Sequence, residues 1–255
     1  MTNIALYWLA DLLWYLSVVG GLGLLVWRAE RDGLDPREAF LVGLFGVMGG
    51  ILGGSLLASG GLPPGISLNP ATWQQLVYAE KGVFGVVVGG ALLAFIWLAL
   101  RGQPVVRFAD AAAPAAALAY VIARLDCFTH GHCFGIPGDV LWAVTFAPGT
   151  QAFIAQTAAG LITPGMVTTL PVHPTQLYHA LLGLVGLVVL LRIKNVVPGT
   201  RLATALIMYG AGRFVIQFFR GDSVPIWGPL DVNHIAALVM LAIGMLLWRL
   251  RPALA

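Results

Sequence analysis

The stretch VFGVVVGGALLAFIWLAL, residues 83–100, contains no charged side chain and no side-chain amide or hydroxyl. A helix that crosses the hydrocarbon core of a bilayer needs about 20 mostly apolar residues. The run therefore predicts a membrane-spanning helix. Comparable apolar runs occur from one end of the chain to the other, separated by polar or Gly/Pro-rich breaks.

The composition of the whole chain agrees with that prediction. Of 255 residues, 59% are hydrophobic and 10% are charged, whereas an average soluble domain has about 25% charged residues. The mean hydropathy is +0.88. So few charged side chains cannot cover the surface of a soluble protein of this length, and 2 cysteines cannot staple a secreted disulfide scaffold.

The apolar runs predict an all-α membrane protein with seven transmembrane helices. Their expected ranges are 5–27, 39–59, 83–100, 108–126, 176–191, 202–219 and 233–250. The first run has no basic region before it and is too long for the core of a signal peptide, so we expect it to remain as a helix.

The positions of Lys and Arg predict the orientation. Cations follow the first, third and fifth runs and end the chain, whereas the connections 60–78 and 131–172 contain none. By the positive-inside rule, the N-terminus lies outside and the C-terminus is cytoplasmic. Topology thus accounts for ten of the 14 cations, and without a basic patch beside stacking aromatics we expect no nucleic-acid partner.

Four cations lie in or beside predicted spans instead: Lys81, Arg124, Arg213 and Arg220. A charge at membrane depth usually faces a bundle interior or a wet cavity and is a functional candidate. In the predicted orientation, the last three lie toward the outer leaflet. The start of the fifth span, with His173, Gln176 and Tyr178, lies at the same level.

The chain is predicted to be one membrane domain, 1–255, with a small extracytoplasmic cap over 131–172 between spans four and five. A connection of that length is usually functional. Its run Leu141 to Phe146 alternates like a strand, and Gln151 to Gly160 is helix-like. Glycines in spans two and three predict close helix packing by small residues; they are Gly49, Gly50, Gly53, Gly54, Gly89 and Gly90.

The segment ARLDCFTHGHCFG, residues 123–135, is the densest polar cluster. One hypothesis is a metal site made by Cys127, His130, His132 and Cys133. A second is an extracytoplasmic disulfide between Cys127 and Cys133. A third is an active-site loop in which Arg124 binds an anionic headgroup and a histidine moves a proton.

Two further segments carry polar groups into predicted spans. PVHPTQLYH, 171–179, holds His173, Gln176, Tyr178 and His179, of which His179 could simply bond another helix. YGAGRFVIQFFRGD, 209–222, spaces Tyr209, Arg213, Gln217 and Arg220 by four, four and three residues, which predicts one helical face. The polar residues on that face either hydrogen-bond neighbouring helices or line a cavity for a phospholipid headgroup. The second alternative is suggested by the guanidinium group, whose planar fork of donors matches phosphate.

Together these segments resemble the phosphatidylglycerol–prolipoprotein diacylglyceryl transferases of the bacterial cytoplasmic membrane. HPTQLY nearly matches the family's His-Pro-Ser-Gln-Leu-Tyr segment, and YGAGRFVIQFFR matches a family helix, with Gln217 in place of Glu. In the family's glycine-rich signature, Arg124, Phe128, Gly131 and Gly135 fit. The family's third-span His-Gly-Gly motif corresponds to EKGVFGVVVGG, 80–90, which has no histidine.

The resemblance implies transfer of a diacylglyceryl group from phosphatidylglycerol to the thiol of a lipoprotein-precursor cysteine, with membrane lipid and the precursor's signal peptide as partners. It places the lipid phosphate on Arg124 and Arg213, and it requires no metal or other cofactor. His132 is the first candidate for the base and His173 the second. The expected substrate-binding residues are Gly135, Gln176, Tyr178, Tyr209, Gln217 and Arg220.

Three alternatives stay open at this stage. A divergent member of the family could move a lipid group to another acceptor, or a non-catalytic membrane protein could bind phospholipid without turnover. A transporter is disfavoured because the ionisable groups cluster at one face and no chain of them crosses the bilayer.

Overall fold

Eight helices and no strand are found in the part of the chain that the structure, a computed structural model, describes: residues 4–58, 83–163, 165–194 and 197–251. They are α1 (Ile4–Arg31), α2 (Pro36–Ala58), α3 (Val83–Leu100), α4 (Val105–His130), α5 (Gln151–Ala158), α6 (Thr175–Arg192), α7 (Thr200–Gln217) and α8 (Val232–Leu250). The all-α prediction is confirmed. Lys81 and the connection 60–78 lie outside the described residues.

Five helices within the described ranges are long and apolar enough to cross a membrane. They are Leu12–Arg31, Pro36–Leu56, Val105–His130, Thr175–Arg192 and Val232–Leu250. In addition, Gly85–Leu100 forms a shorter apolar helix. A helix lies over each of the seven predicted runs, and the chain is a multi-pass membrane protein.

The chain divides into two compact units. One consists of Met1–Gly21 and Ala113–Ala255, and the other of Leu22–Ala112. Both α1 and α4 contribute residues to each unit. The single domain with a cap remains a prediction.

In the unit Leu22–Ala112, α2 and α3 touch through their backbones, as the glycine pattern predicted. A Cβ added to Gly49 would meet the carbonyl oxygen of Gly89, and one added to Gly53 would meet that of Gly85. Small residues let helix backbones approach this closely in a membrane. Glu38, at the start of α2, is buried and accepts hydrogen bonds from Trp97 Nε1 and Arg101 Nη2, both at 2.9 Å.

In the other unit, α7 and α8 also pack closely. A Cβ on Gly210 would lie 2.8 Å from the carbonyl oxygen of Ala237, and one on Gly244 would lie 2.9 Å from the backbone nitrogen of Ile207. On α6, large apolar side chains such as Leu181 and Leu184 are exposed, while Gln176 and His179 are buried. This helix is therefore apolar outward and polar inward near its start, the reverse of a helix of a soluble protein.

The segment between α4 and α6 has a small apolar core of its own. Phe134, Phe146, Ala152 and Val172 are buried together, with Phe128 of α4 packed against them. The predicted helix at Gln151 is confirmed as α5, which Thr150 caps by accepting a hydrogen bond from Phe153 N at 3.3 Å. The predicted strand at Leu141–Phe146 is wrong. Only Val144 of that run pairs, with Val172, because turns at Leu141 and Trp142 interrupt the extended backbone.

Two helix ends differ from prediction and change the position of site residues. α4 continues to His130 because the first glycine, Gly131 at φ +65°, comes only then. Cys127 and His130 are thus helical, not part of a loop. α7 stops at Gln217, and the next three backbone N–H groups bond three residues back. Arg220 therefore lies in a turn, and the prediction that it shares one helical face with Tyr209, Arg213 and Gln217 is wrong.

Candidate functional site

Four helix ends meet in the unit Met1–Gly21 and Ala113–Ala255. The loop that follows α4 contacts the first turn of α6 and the segment just after α7. The start of α8 is bonded to α7. Thr175 Oγ1 donates to the Cys133 carbonyl, and Gln176 Nε2 to the His132 carbonyl, both at 2.6 Å. Gly135 pairs with Arg220. The predicted site segments 123–135, 171–179 and 209–222 are thus brought together.

Arg124 lies on α4 with its side chain turned into the bundle. It is 6% exposed, its Nη1 donates to Cys133 Sγ at 3.5 Å, and its Cζ is 4.7 Å from the centroid of the Tyr120 ring. A guanidinium over an aromatic face is stabilised by the ring quadrupole. Among the described residues, these contacts hold the charge of Arg124 in the interior, and no carboxylate is paired with it.

Arg213, on α7, is equally buried, at 6% exposed. Its Nη2 donates to Asn233 Oδ1 of α8 at 2.9 Å. Its Nη1 is buried and has no hydrogen-bond partner among the described residues. Native proteins leave few buried donors unpaired, so this nitrogen is positioned for a group that the described residues do not supply.

Asp231 connects the start of α8 to α7. Its carboxylate caps α8 by accepting from Asn233 N and His234 N, and it also accepts from Gln217 Nε2 at 2.6 Å and Ser223 Oγ at 2.5 Å. Burial opposes ionisation, but these hydrogen bonds hold the pKa of Asp231 below its usual range. The carboxylate thereby fixes Asn233, which in turn holds Arg213.

Arg220 lies just beyond the end of α7, at the edge of the site. Its Nε and Nη2 donate to the two carboxylate oxygens of Asp222 at 2.7 and 2.6 Å. Burial disfavours the charge, but Cys133 and the Asp222 pair outweigh it and raise the pKa of Arg220. Gly135 is required here, because a Cβ on it would collide with the carbonyl oxygen of His173. Arg220 is thus occupied by a carboxylate, unlike Arg124 and Arg213.

The thiols of Cys127 and Cys133 are free, so the disulfide hypothesis is not supported. The Cys127 thiol hydrogen-bonds that of Cys133. This bond, together with the charges of Arg220 and Arg124, outweighs burial and lowers the pKa of Cys133 to about 4. The metal hypothesis for Cys127, His130, His132 and Cys133 also fails, since no three His, Cys, Asp or Glu side chains converge as ligands within the described ranges.

The two predicted base candidates lie at the edge of this cluster. The His132 side chain is exposed and lies beside the His130 ring, with 5.4 Å between centroids. His173 is half-buried, and its Nδ1 is 3.0 Å from the Tyr178 hydroxyl, which accepts from Trp142 Nε1 at 2.7 Å. Trp142, Tyr178 and His173 thus form a chain of hydrogen bonds.

Several buried polar atoms of α6 and α7 lack partners in the described part of the chain. Besides Arg213 Nη1, they are Gln176 Oε1, Gln217 Oε1 and both ring nitrogens of His179. Gln176 and His179 are fully buried and Gln217 is 2% exposed. Donors and acceptors are both present, so a ligand with anionic and neutral polar groups would satisfy them.

Sequence reasoning missed Tyr120, Trp142, Asp231 and Asn233. A signal existed for Asp231, since an Asp directly before an apolar run is a typical helix N-cap. Asn233 gave no comparable signal, because it acts through an arginine on a different helix. Tyr120 lies four residues before Arg124 on α4, a spacing at which helical side chains meet, so that contact could have been found from the sequence.

A sequence model of the prolipoprotein diacylglyceryl transferases matches residues 1–250. The chain belongs to this family. The resemblance predicted from the three segments is thereby confirmed, and the protein is a transferase by family.

Proteins named phosphatidylglycerol–prolipoprotein diacylglyceryl transferase are similar over most of their length. The protein of Symbiobacterium thermophilum is 32% identical over 248 residues, which cover 93% of this chain and 88% of that protein. That of Clostridium tetani is 26% identical over 237 residues, covering 92% and 89%. That of Corynebacterium diphtheriae is 29% identical over 229 residues, covering 86% and 79%.

Proposed function

We propose that this chain transfers the diacylglyceryl group of phosphatidylglycerol to the thiol of a lipoprotein-precursor cysteine. The observation that carries the proposal is the pair of buried arginines, Arg124 and Arg213, neither of which is ion-paired to a carboxylate in the described part of the chain. The names of the similar proteins supply the substrates. The alternatives of another acceptor, or of binding without turnover, are separated by the experiment below.

The proposed role of Arg124 and Arg213 is to bind the lipid phosphate. A guanidinium fork matches phosphate oxygens, and Arg213 Nη1 has no protein partner among the described residues. As the bond between the glyceryl carbon and the phosphate oxygen breaks, negative charge grows on the leaving glycerol phosphate. Fixed cations in a water-poor site stabilise that charge more than they would in water.

We assign the surrounding polar residues to substrate binding. Gln176 and Gln217 each use the amide nitrogen within the protein and leave Oε1 open for lipid hydroxyls. Tyr209 lies against Tyr120, with centroids 5.3 Å apart, one helical turn before Arg213. Tyr178 is placed by Trp142, and Gly135 and Arg220 shape the adjoining loop.

On the acceptor side, a base must take the thiol proton, since a free thiol has a pKa near 8.5. His132 and His173 are the outer candidates. We propose that the precursor's signal peptide approaches from their side, because His132 is exposed and His173 is half-buried.

We further propose seven spans with the N-terminus outside, the C-terminus cytoplasmic, and 131–172 as an extracytoplasmic cap. The distribution of Lys and Arg supports this orientation. It puts the site at the outer leaflet of the bacterial cytoplasmic membrane.

The test is an assay with purified protein, vesicles that contain phosphatidylglycerol labelled in the diacylglyceryl group, and a peptide with a lipoprotein-type cysteine. We expect the label to move to the peptide thiol and glycerol phosphate to be released. A matched peptide with Ser for Cys should stay unlabelled. Binding of the lipid without release of glycerol phosphate would favour the non-catalytic alternative, and release without peptide labelling would favour another acceptor.

A further inference from the structure

His179 is a fully buried histidine that the proposed function leaves without a role. It lies one turn into α6 and is 0% exposed. Neither Nδ1 nor Nε2 has a hydrogen-bond partner in the described part of the chain. A histidine that served only to join helices would bond one of them.

Two open ring nitrogens in an interior are unfavourable unless something else binds them. Buried polar groups are paired in the great majority of cases, and each exception needs an explanation. A neutral imidazole offers one donor and one acceptor on its two ring nitrogens, which point in different directions. His179 can therefore contact two groups of a ligand at once.

The neighbours of His179 are the phosphate-binding residues. Its ring makes a T-shaped contact with Tyr120, with centroids 6.0 Å apart, and Tyr120 also contacts the guanidinium of Arg124. The charged groups that act on the imidazole are Arg124, Arg213 and Arg220. Because neither ring nitrogen has a partner among the described residues, a neutral His179 ring presents an open acceptor nitrogen beside these arginines.

We propose that His179 is the base that takes the proton from the acceptor thiol. This inference rests on the proposed function and adds the identity of the proton-accepting residue. The thiol proton passes to the open ring nitrogen, and the sulfur electron pair forms a bond to the glyceryl carbon. The bond from that carbon to the phosphate oxygen breaks with its electron pair on glycerol phosphate, which then takes the proton from the imidazolium.

The charges set the order of events. A bound phosphodiester brings one negative charge to the arginines and offsets the repulsion that an imidazolium would meet there. Lipid binding therefore makes His179 a stronger base, and the thiol is deprotonated only when the donor lipid is in place. The other histidines near the site differ, since His132 is exposed and His173 contacts Tyr178.

The experiment compares wild type with His179→Gln across pH in the transfer assay described above. At pH 7 we expect transfer to fall about 100-fold, the usual contribution of a general base. As the pH rises past the thiol pKa of about 8.5, the peptide supplies its own thiolate. The deficit should then shrink to less than about tenfold at pH 9.5. His130→Gln, a half-exposed histidine on α4, is the matched control and should transfer normally.

A deficit of the same size at every pH would overturn the inference, because it would indicate a structural role. Full activity of His179→Gln at pH 7 would overturn it as well, as would a pH-dependent rescue seen in His132→Gln instead. His179→Asn and thermal unfolding in detergent serve as the second variant and measurement; if both variants unfold, His179 is structural. Failure of the wild type to label the peptide would count against the proposed function and not against the placement of this base.

Discussion

Arg213 Nη2 donates to Asn233 Oδ1 at 2.9 Å, and this bond turns the other terminal nitrogen, Nη1, toward partners that the described chain does not provide. Asn233 itself is held by Asp231, the N-cap of α8. The orientation of a proposed phosphate ligand on α7 is thus set from the start of another helix.

Replacing Asn233 by Ala should therefore impair transfer without removing the charge of Arg213. Hydrogen bonds to charged groups contribute about 1.5–3 kcal/mol, which corresponds to a loss of roughly tenfold to a hundredfold in kcat/KM. The measurement is steady-state transfer at varied phosphatidylglycerol. Val232→Ala, an exposed neighbour on the same turn, is the control. Unchanged kinetics of Asn233→Ala would refute the positioning role.

Removing the proposed phosphate ligands should have the larger effect. Arg124→Gln and Arg213→Gln should each lower kcat by about 10² to 10³, as loss of one fixed charge-stabilising donor does. Lys in either position should recover only part of the activity, since an ammonium cannot present a fork to phosphate. Arg107→Gln, on an exposed bond to the Asp32 carbonyl, is the matched control. Equal activity of the Lys and Arg proteins would contradict a fork-type contact.

Asp231 should make stability depend on pH. Its pKa is lower in the folded chain than in the unfolded one, so the stabilisation is present above about pH 4 and is lost as the pH falls toward the folded value. Asp231→Asn should lower the thermal unfolding midpoint at pH 7, and the difference from wild type should narrow below pH 4. The exposed Asp139→Asn should show neither effect. A difference that stays constant with pH would contradict this account.

Cys133 should react as a thiolate in mildly acidic solution. With a pKa of about 4, it is ionised at pH 6, where an ordinary thiol is almost entirely protonated. An alkylating reagent followed by mass spectrometry should modify Cys133 at pH 6. Cys127→Ala removes the thiol that hydrogen-bonds Cys133, which raises the pKa of Cys133 and should slow its alkylation at pH 6. Equal rates in both proteins would disprove the coupling.

Close packing of α2 and α3 can be tested by replacing a contact glycine with a larger residue. Gly53→Leu would drive a side chain into the Gly85 carbonyl and should destabilise the protein by about 1–3 kcal/mol or more. Gly23→Ala is the control, since nothing lies within 4 Å of its added Cβ. Thermal unfolding in detergent distinguishes them, and an unaffected Gly53→Leu would show that the backbones are farther apart.

The helices were largely predictable because lipid selects for apolar runs that can be counted from sequence. Residues 83–100 coincide with α3 in full. Predictions failed where local backbone bonding decided the outcome, as at Arg220 beyond the end of α7 and at the interrupted run 141–146.

For the site, the sequence identified Arg124 and Arg213 as functional candidates because a charged residue within an apolar run is conspicuous. It could not show that Asn233 orients Arg213 or that His179 has two open nitrogens. Both facts depend on how separate helices meet, and neither residue type is unusual at its position. The choice between a bonded and a free cysteine pair likewise required coordinates.

The glycine contact between α2 and α3 has a consequence for kinetics. The glycine backbone atoms at this contact include no group that titrates in the ordinary pH range and no thiol that can be oxidised. Changes of pH and oxidants therefore leave this helix–helix contact unchanged. It adds no ionisable group of its own to the dependence of the transfer rate on pH.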